Sequence, residues 1–173
     1  MSFVSQNIPT FNSYGVRLTR GPAQLREPQT RHKLVKHHQD FLRELPWIWE
    51  RKTSWAPFNV KCVHAGMLSE DCSAQLEGLR SRDLSSAALL NTVKGNYHCL
   101  SGREDVEAMP PELDGQCALV SGHHNKTLVQ GDRYIIDFGG GRPQQSMEAL
   151  ILPSRVIVNS DDGPQQLGSR SRV

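Results

Sequence analysis

The sequence predicts an α/β fold, and three observations carry that prediction. Two short, β-branched apolar runs read as buried strands, and each ends in a histidine: Phe58-Asn59-Val60-Lys61-Cys62-Val63 runs into His64-Ala65-Gly66, and Cys117-Ala118-Leu119-Val120-Ser121-Gly122 runs into His123-His124. Leu34, Val35, His38, Phe41, Leu42 and Leu45 fall on one face at helical spacing. Two hairpin patterns follow in the last third of the chain. An imidazole at the exit of a buried strand stands over the carboxyl end of a sheet, where open α/β folds build their sites.

The elements follow in order. Residues 1–29 are rich in Ser, Asn, Gly, Pro and Gln and read as loop. A helix is expected from Thr30, which can cap it, to Leu45, because the residue before Pro46 avoids the α region. His37 and His38 belong to this amphipathic helix, at its surface or face edge. Trp47, Trp49 and Trp55 are expected to seal the helix against the sheet. Residues 73–80 form a short helix with Leu76 and Leu79 inward. Residues 81–104 read as polar and irregular, with Leu100-Ser101-Gly102-Arg103 as a loop, and Met109-Pro110-Pro111-Glu112 as a turn.

Thr127–Gln130 and Tyr134–Asp137 flank Gly131-Asp132, a two-residue turn with glycine first. Glu148–Leu152 and Arg155–Val158 flank Pro153-Ser154, and Gly139-Gly140-Gly141 lets the backbone turn between the hairpins. The expected organisation is a loop-rich segment over 1–29, a domain over 30–160 and a disordered tail over 161–173.

At 173 residues the chain is long enough for one domain with a core. Its 20 Lys+Arg against 18 Asp+Glu create no large field, which argues against nucleic acid and anionic membrane as partners. No apolar run approaches the ~20 residues of a membrane span. The N-terminus has no secretory h-region. Arg17, Arg20 and Arg26, with no acid among them, give the first 26 residues the bias of a transit peptide. Cys62, Cys72, Cys99 and Cys117 contain no Cys-x-x-Cys pair and read as reduced thiols, the usage of a cytoplasmic or nuclear protein. Asn125-Lys126-Thr127 matches a glycosylation acceptor, which without a signal peptide reads as chance.

A lone histidine at a strand end is more often hydrogen-bonded structure than ligand. Two at the same architectural position can aim neutral nitrogens at one metal ion, so His64 and His123 are the candidate ligands. Ala65 and Gly66 are small enough to leave room for an ion and its oxyanion. Arg103, between the two histidine strands, can clamp a phosphate with paired hydrogen bonds, or it can be a solvated loop arginine. Glu44 and Glu50 are the acids nearest to hand, though nothing in their spacing recruits them to a metal.

The ordered series Val63-His64-Ala65-Gly66-Met67, Leu100-Ser101-Gly102-Arg103, Val120-Ser121-Gly122-His123-His124, Ile135-Ile136-Asp137-Phe138-Gly139-Gly140-Gly141 and Leu152-Pro153-Ser154-Arg155 resembles the C-terminal half of a calcineurin-like metallophosphoesterase. Within that superfamily it is most similar to the plant Rhizobiales-like phosphatases of the phosphoprotein phosphatase group. With Phe11–Val16 included, the similarity runs from about Thr10 to Asp161 and places residues 11–16 in the domain, against a transit peptide. The resemblance implies a sandwich of mixed sheets flanked by helices, with a divalent metal pair (Mn, Fe or Zn) at the strand ends. It implies hydrolysis of phosphotyrosine or phosphoserine/threonine in a phosphoprotein substrate, with small phosphoesters or dinucleotide polyphosphates as the alternative. His64 and His123 correspond to two imidazole ligands of one metal and Arg103 to the phosphate clamp. Asp137 lies in the lining segment without a catalytic role, and His124 follows the matched ligand.

The family's first half is absent. Gly-Asp-x-His-Gly, Gly-Asp-x-x-Asp-Arg-Gly and Gly-Asn-His-Asp/Glu do not occur, and Gly131-Asp132 is followed by Arg133-Tyr134. Those motifs carry the bridging carboxylate, the other metal site and the leaving-group acid. Two neutral imidazoles cannot offset two divalent ions or hold them together. The expectation is a truncated family member that is inactive alone and binds at most one ion weakly. The alternative is a non-catalytic pseudophosphatase module that meets a protein partner at an exposed sheet edge.

Overall fold

The computed structural model describes Ser13 and residues 36–55, 59–91, 96–138 and 145–161. Two compact units divide the chain, Met1–Leu45 and Pro46–Val173. The first unit contributes helix α1, Lys36–Glu44. Its sequence is amphipathic, but none of its residues is buried, and Phe41 and Leu42 are 61% and 64% exposed, contrary to the inward face expected of them. Two ion pairs on one side, Lys36–Asp40 and Arg43–Asp40, supply the helix-surface pairing its spacing allows. Thr30, Leu34 and Val35, the loop over 1–29 except Ser13, residues 139–144 and the tail from 162 lie outside the described residues.

The second unit is α/β. Five strands form one mixed sheet: β1 Ile48–Lys52, β2 Asn59–Val63, β5 Cys117–Ser121, β6 Thr127–Gln130 and β7 Arg133–Ile136, in the order β1-β2-β5-β7-β6. Strands β2, β5 and β7 run parallel, while β1 and β6 pair antiparallel at the two sides. Between β2 and β5 lie helix α2 (Cys72–Ser81), the short ladder of β3 (Leu90–Asn91) and β4 (Asn96–Tyr97), helix α3 (His98–Ser101) and a 3₁₀ turn at Glu104–Val106. A hairpin of β8 (Glu148–Ile151) and β9 (Val156–Asn159) follows.

Strand β5 is buried at every position, as a central parallel strand covered on both faces should be. Its alternation sends Cys117 and Leu119 into one core with Ile48, Val63, Leu76, Leu79 and Leu89, beneath α2. Ala118 and Val120 enter a second core with Val60 and Tyr134, against Leu150 and Leu152 of the last hairpin. Gly131, at φ 58, makes the two-residue turn between β6 and β7. Arg155, expected to open a strand, has φ 57 and belongs to the turn instead; β9 begins one residue later. Four buried or half-buried thiols are free, and burial pushes Cys99 up to about 12 and Cys117 up to about 11, so they stay protonated small hydrophobes.

Of the tryptophan segment, Ile48–Lys52 forms strand β1; Trp47 packs at the core before it, while Trp49 within it and Trp55 after it are exposed at 46% and 37%. Successive side chains of a strand point to opposite faces, so Trp49 cannot follow Ile48 inward. The same strand carries Glu50, which pairs with Lys61 of β2 and accepts two bonds from Arg80 of α2 at 2.7 and 2.9 Å. Glu50 is therefore committed to a structural ion cluster and is no metal ligand. Hydrogen bonding to Arg80 first, then Lys61, holds its carboxyl down to about 2. Its folded pKa lies below its ordinary 4.5, so its contribution is full above pH 4.5 and is lost as pH falls towards 2. Glu50→Gln is expected to cost about 1–3 kcal/mol at pH 7 by leaving the buried Lys61 ammonium unpaired. In urea titrations the gap between variant and wild type should close as the pH is taken below about 4.

Candidate metal centre

The parallel pairing of β2 with β5 places Val63 beside Ser121, so both strands leave the sheet at the same level. The ladder continues one step into the exits, where the Gly122 N–H donates to the His64 carbonyl at 3.1 Å. His64 and His123 therefore emerge side by side. His64 Nε2 and His123 Nδ1 are 3.0 Å apart, with ring centroids 4.7 Å apart and planes at 55°. His64 is exposed and His123 half-buried. The backbone at His123 is left-handed, with φ 69.

The two nitrogens fit one ion. Ligand nitrogens about 2.1 Å from a common metal and about a right angle apart lie about 3 Å from each other. Such a separation equally fits a proton shared between the rings. Burial, then the charge of Arg103 and of the His64 and His124 rings, hold His123 below the ordinary imidazole range, against a hydrogen bond with the Ser101 backbone. A depressed imidazole keeps a lone pair available to a ligand near neutral pH. The residues do not fit a metal pair. Among the described residues no third His, Cys, Asp or Glu converges with the two rings.

Arg103 is brought to the same place. Gly102 caps the end of helix α3; its N–H donates to the His98 carbonyl at 2.7 Å, and a Cβ at Gly102 would lie 2.5 Å from that oxygen. The glycine thus permits the tight exit that carries Arg103 across to the β5 end, where its Nη1 donates to the His123 carbonyl at 2.5 Å.

The neighbouring residues have structural duties. His124 is buried, donates Nε2–H to the Ala65 carbonyl at 2.7 Å, and stitches the two strand exits together. Its Nδ1 is buried without a hydrogen bond, 3.6 Å from Glu107, which in turn pairs with Lys126 at 2.5 Å. Asp137 accepts the Asn125 N–H at 2.8 Å and so braces the loop that follows the histidines.

Ala65 and Gly66 do not open room for an ion and its oxyanion. Ala65 is fully buried, and the space beside Gly66 is filled by the Val106 carbonyl and Arg133.

Arg133 carried no signal in the sequence. It opens β7, is fully buried, and spreads its five N–H groups over the carbonyls of Ala65, Val106, Glu107, Leu119 and Tyr134 and the Ser121 hydroxyl. It thereby joins the three segments that bear His64, Arg103 and His123. Asp105 accepts the Arg103 N–H at 3.0 Å, and an acid two residues beyond Arg103 is the local turn signal for that contact.

No family model and no curated protein matches this chain. No helix among the described residues is long and apolar enough to cross a membrane.

Proposed function

We propose that the second unit carries the imidazole half of a divalent-metal phosphoesterase centre of the calcineurin-like kind, within the phosphoprotein phosphatase group. One observation supports this reading above the rest: two imidazole nitrogens 3.0 Å apart on the ends of adjoining parallel strands, with Arg103 at the same edge. An ion there would be held by His64 and His123 and would act as a Lewis acid towards a phosphoryl oxygen. Arg103 would stand ready to meet the charge of a phosphorylated protein side chain, phosphotyrosine or phosphoserine/threonine. The sequence has no Asp-x-His from which to draw the family's bridging carboxylate. The chain alone is therefore expected to bind at most one ion, weakly, and to turn nothing over.

Dialysis against Mn²⁺, Fe²⁺ or Zn²⁺ followed by elemental analysis tests the half-site. Wild type should retain up to one ion per chain, and His64→Ala and His123→Ala should each abolish retention. Two ions per chain, or rapid metal-dependent hydrolysis of p-nitrophenyl phosphate, would refute the incomplete centre. No bound metal at millimolar concentration would refute the half-site itself.

A second reading is a non-catalytic module that meets a protein partner. It is favoured by the lack, among the described residues, of a third ligand group converging with His64 and His123, and by the exposed Trp49 on β1, an outer strand of the five-stranded sheet.

A further inference from the structure

We infer that Arg103 is a positioning residue for His123, set in place by a His98–Asp105 pair, and that its guanidinium holds the backbone of the ligand as well as facing any phosphate. This inference rests on the metal half-site proposed above and names what orients it. The Arg103 Nη1 lies 2.5 Å from the His123 carbonyl, across 20 residues of chain. That carbonyl belongs to a residue at φ 69, a region that non-glycine residues seldom occupy without an external hold. A charge-assisted hydrogen bond to the carbonyl is such a hold.

Arg103 is itself anchored. The Asp105 Oδ1 accepts the Arg103 backbone N–H at 3.0 Å, and the Asp105 Oδ2 is paired with His98 Nδ1. His98 opens α3 and its carbonyl receives the Gly102 N–H at 2.7 Å, so one short segment ties both ends of the turn. The result is a relay of contacts, His98 to Asp105 to Arg103 to His123. Outer contacts of this kind orient the ligands of metal sites and typically change affinity by about 10–100-fold when removed. An arginine that only faced a phosphate would oppose a cation here by its charge, so its removal would strengthen metal binding rather than weaken it.

The test compares wild type, Arg103→Gln, Arg103→Lys and Asp105→Ala as full chains. Zn²⁺ affinity is measured by calorimetry, thermal stability by melting, and the His64 and His123 ring ¹⁵N shifts by NMR in metal-free protein. Arg103→Gln and Asp105→Ala should weaken Zn²⁺ binding about 10–100-fold, with melting temperatures near that of wild type, and Arg103→Lys should recover part of the loss. The His123 ring signals should move in Arg103→Gln without metal. Equal Zn²⁺ affinity in wild type and Arg103→Gln would overturn the inference. If wild type binds no Zn²⁺, the half-site reading fails, and the metal-free spectra still decide positioning: unmoved His123 signals in Arg103→Gln overturn it, displaced ones support it.

Discussion

Arg133→Met is expected to lower the stability of the second unit by about 3–5 kcal/mol, read as a fall in the urea midpoint at unchanged slope. The side chain is fully buried, and burial pushes its guanidinium down to about 10, so it still carries its charge at neutral pH. Removing it strips the donor from the Val106 carbonyl at 3.1 Å, the Glu107 carbonyl at 3.0 Å, the Tyr134 carbonyl at 2.6 Å and the Ser121 hydroxyl at 2.8 Å. Each buried acceptor left unmet costs about 1–3 kcal/mol. The loss falls short of their sum because methionine fills most of the volume and returns the cost of burying a charge. Arg133→Lys should recover little, since an ammonium has three donors on a flexible stem and cannot span the same fork of acceptors. A wild-type urea midpoint for Arg133→Met would show that the network contributes nothing to folding.

Gly66→Ala is expected to cost on the order of 2–4 kcal/mol, for two separable reasons. The backbone at φ 149 is one that side chains rarely adopt, and a Cβ there would lie 2.2 Å from the Val106 carbonyl and 3.0 Å from the Arg133 guanidinium. That carbonyl belongs to the backbone, so it cannot swing aside as a side chain would. Gly131→Ala is the control. It shares a positive φ of 58 but has nothing within 4 Å, so only the roughly 1–2 kcal/mol of left-handed strain applies. A larger loss at Gly131 than at Gly66 would mean that the close approach of the 3₁₀ turn to the His64 exit is wrong. The Gly66 change should also disturb the site, because the turn it would displace follows directly on Arg103.

Much of the second unit could be read along the chain. The strands over 59–63 and 117–121, the helix over 72–81 and the hairpin closed by Gly131-Asp132 all announce themselves within a window of a few residues. Apolar runs, turn residues and helical spacing are local signals, and these elements obey them. The tryptophan segment did not read as a strand because Ile48-Trp49-Glu50-Arg51-Lys52 has one inward apolar residue, and its pairing to β2 is what makes it one. The helix face at Phe41 and Leu42 shows the converse: a pattern that predicts burial can occur on residues that stay exposed. At the site, His64 and His123 were legible because each closes a strand. Arg133 was not, because an arginine between a turn and an apolar run looks like a surface residue until three segments fold over it.

Residue type and short-range order sufficed to mark His64 and His123 and the strand ends on which they stand. They also show that neither Asp-x-His nor Asn-His occurs anywhere in the sequence. That the two imidazoles face each other at 3.0 Å depends on a parallel register and on a left-handed turn at His123. Those depend on contacts between residues 20 to 70 positions apart, such as Arg103 with His123 and Arg133 with Ala65. Such contacts form only when the closing of long loops is repaid by burial and hydrogen bonding elsewhere in the fold, and no local window of sequence contains that exchange.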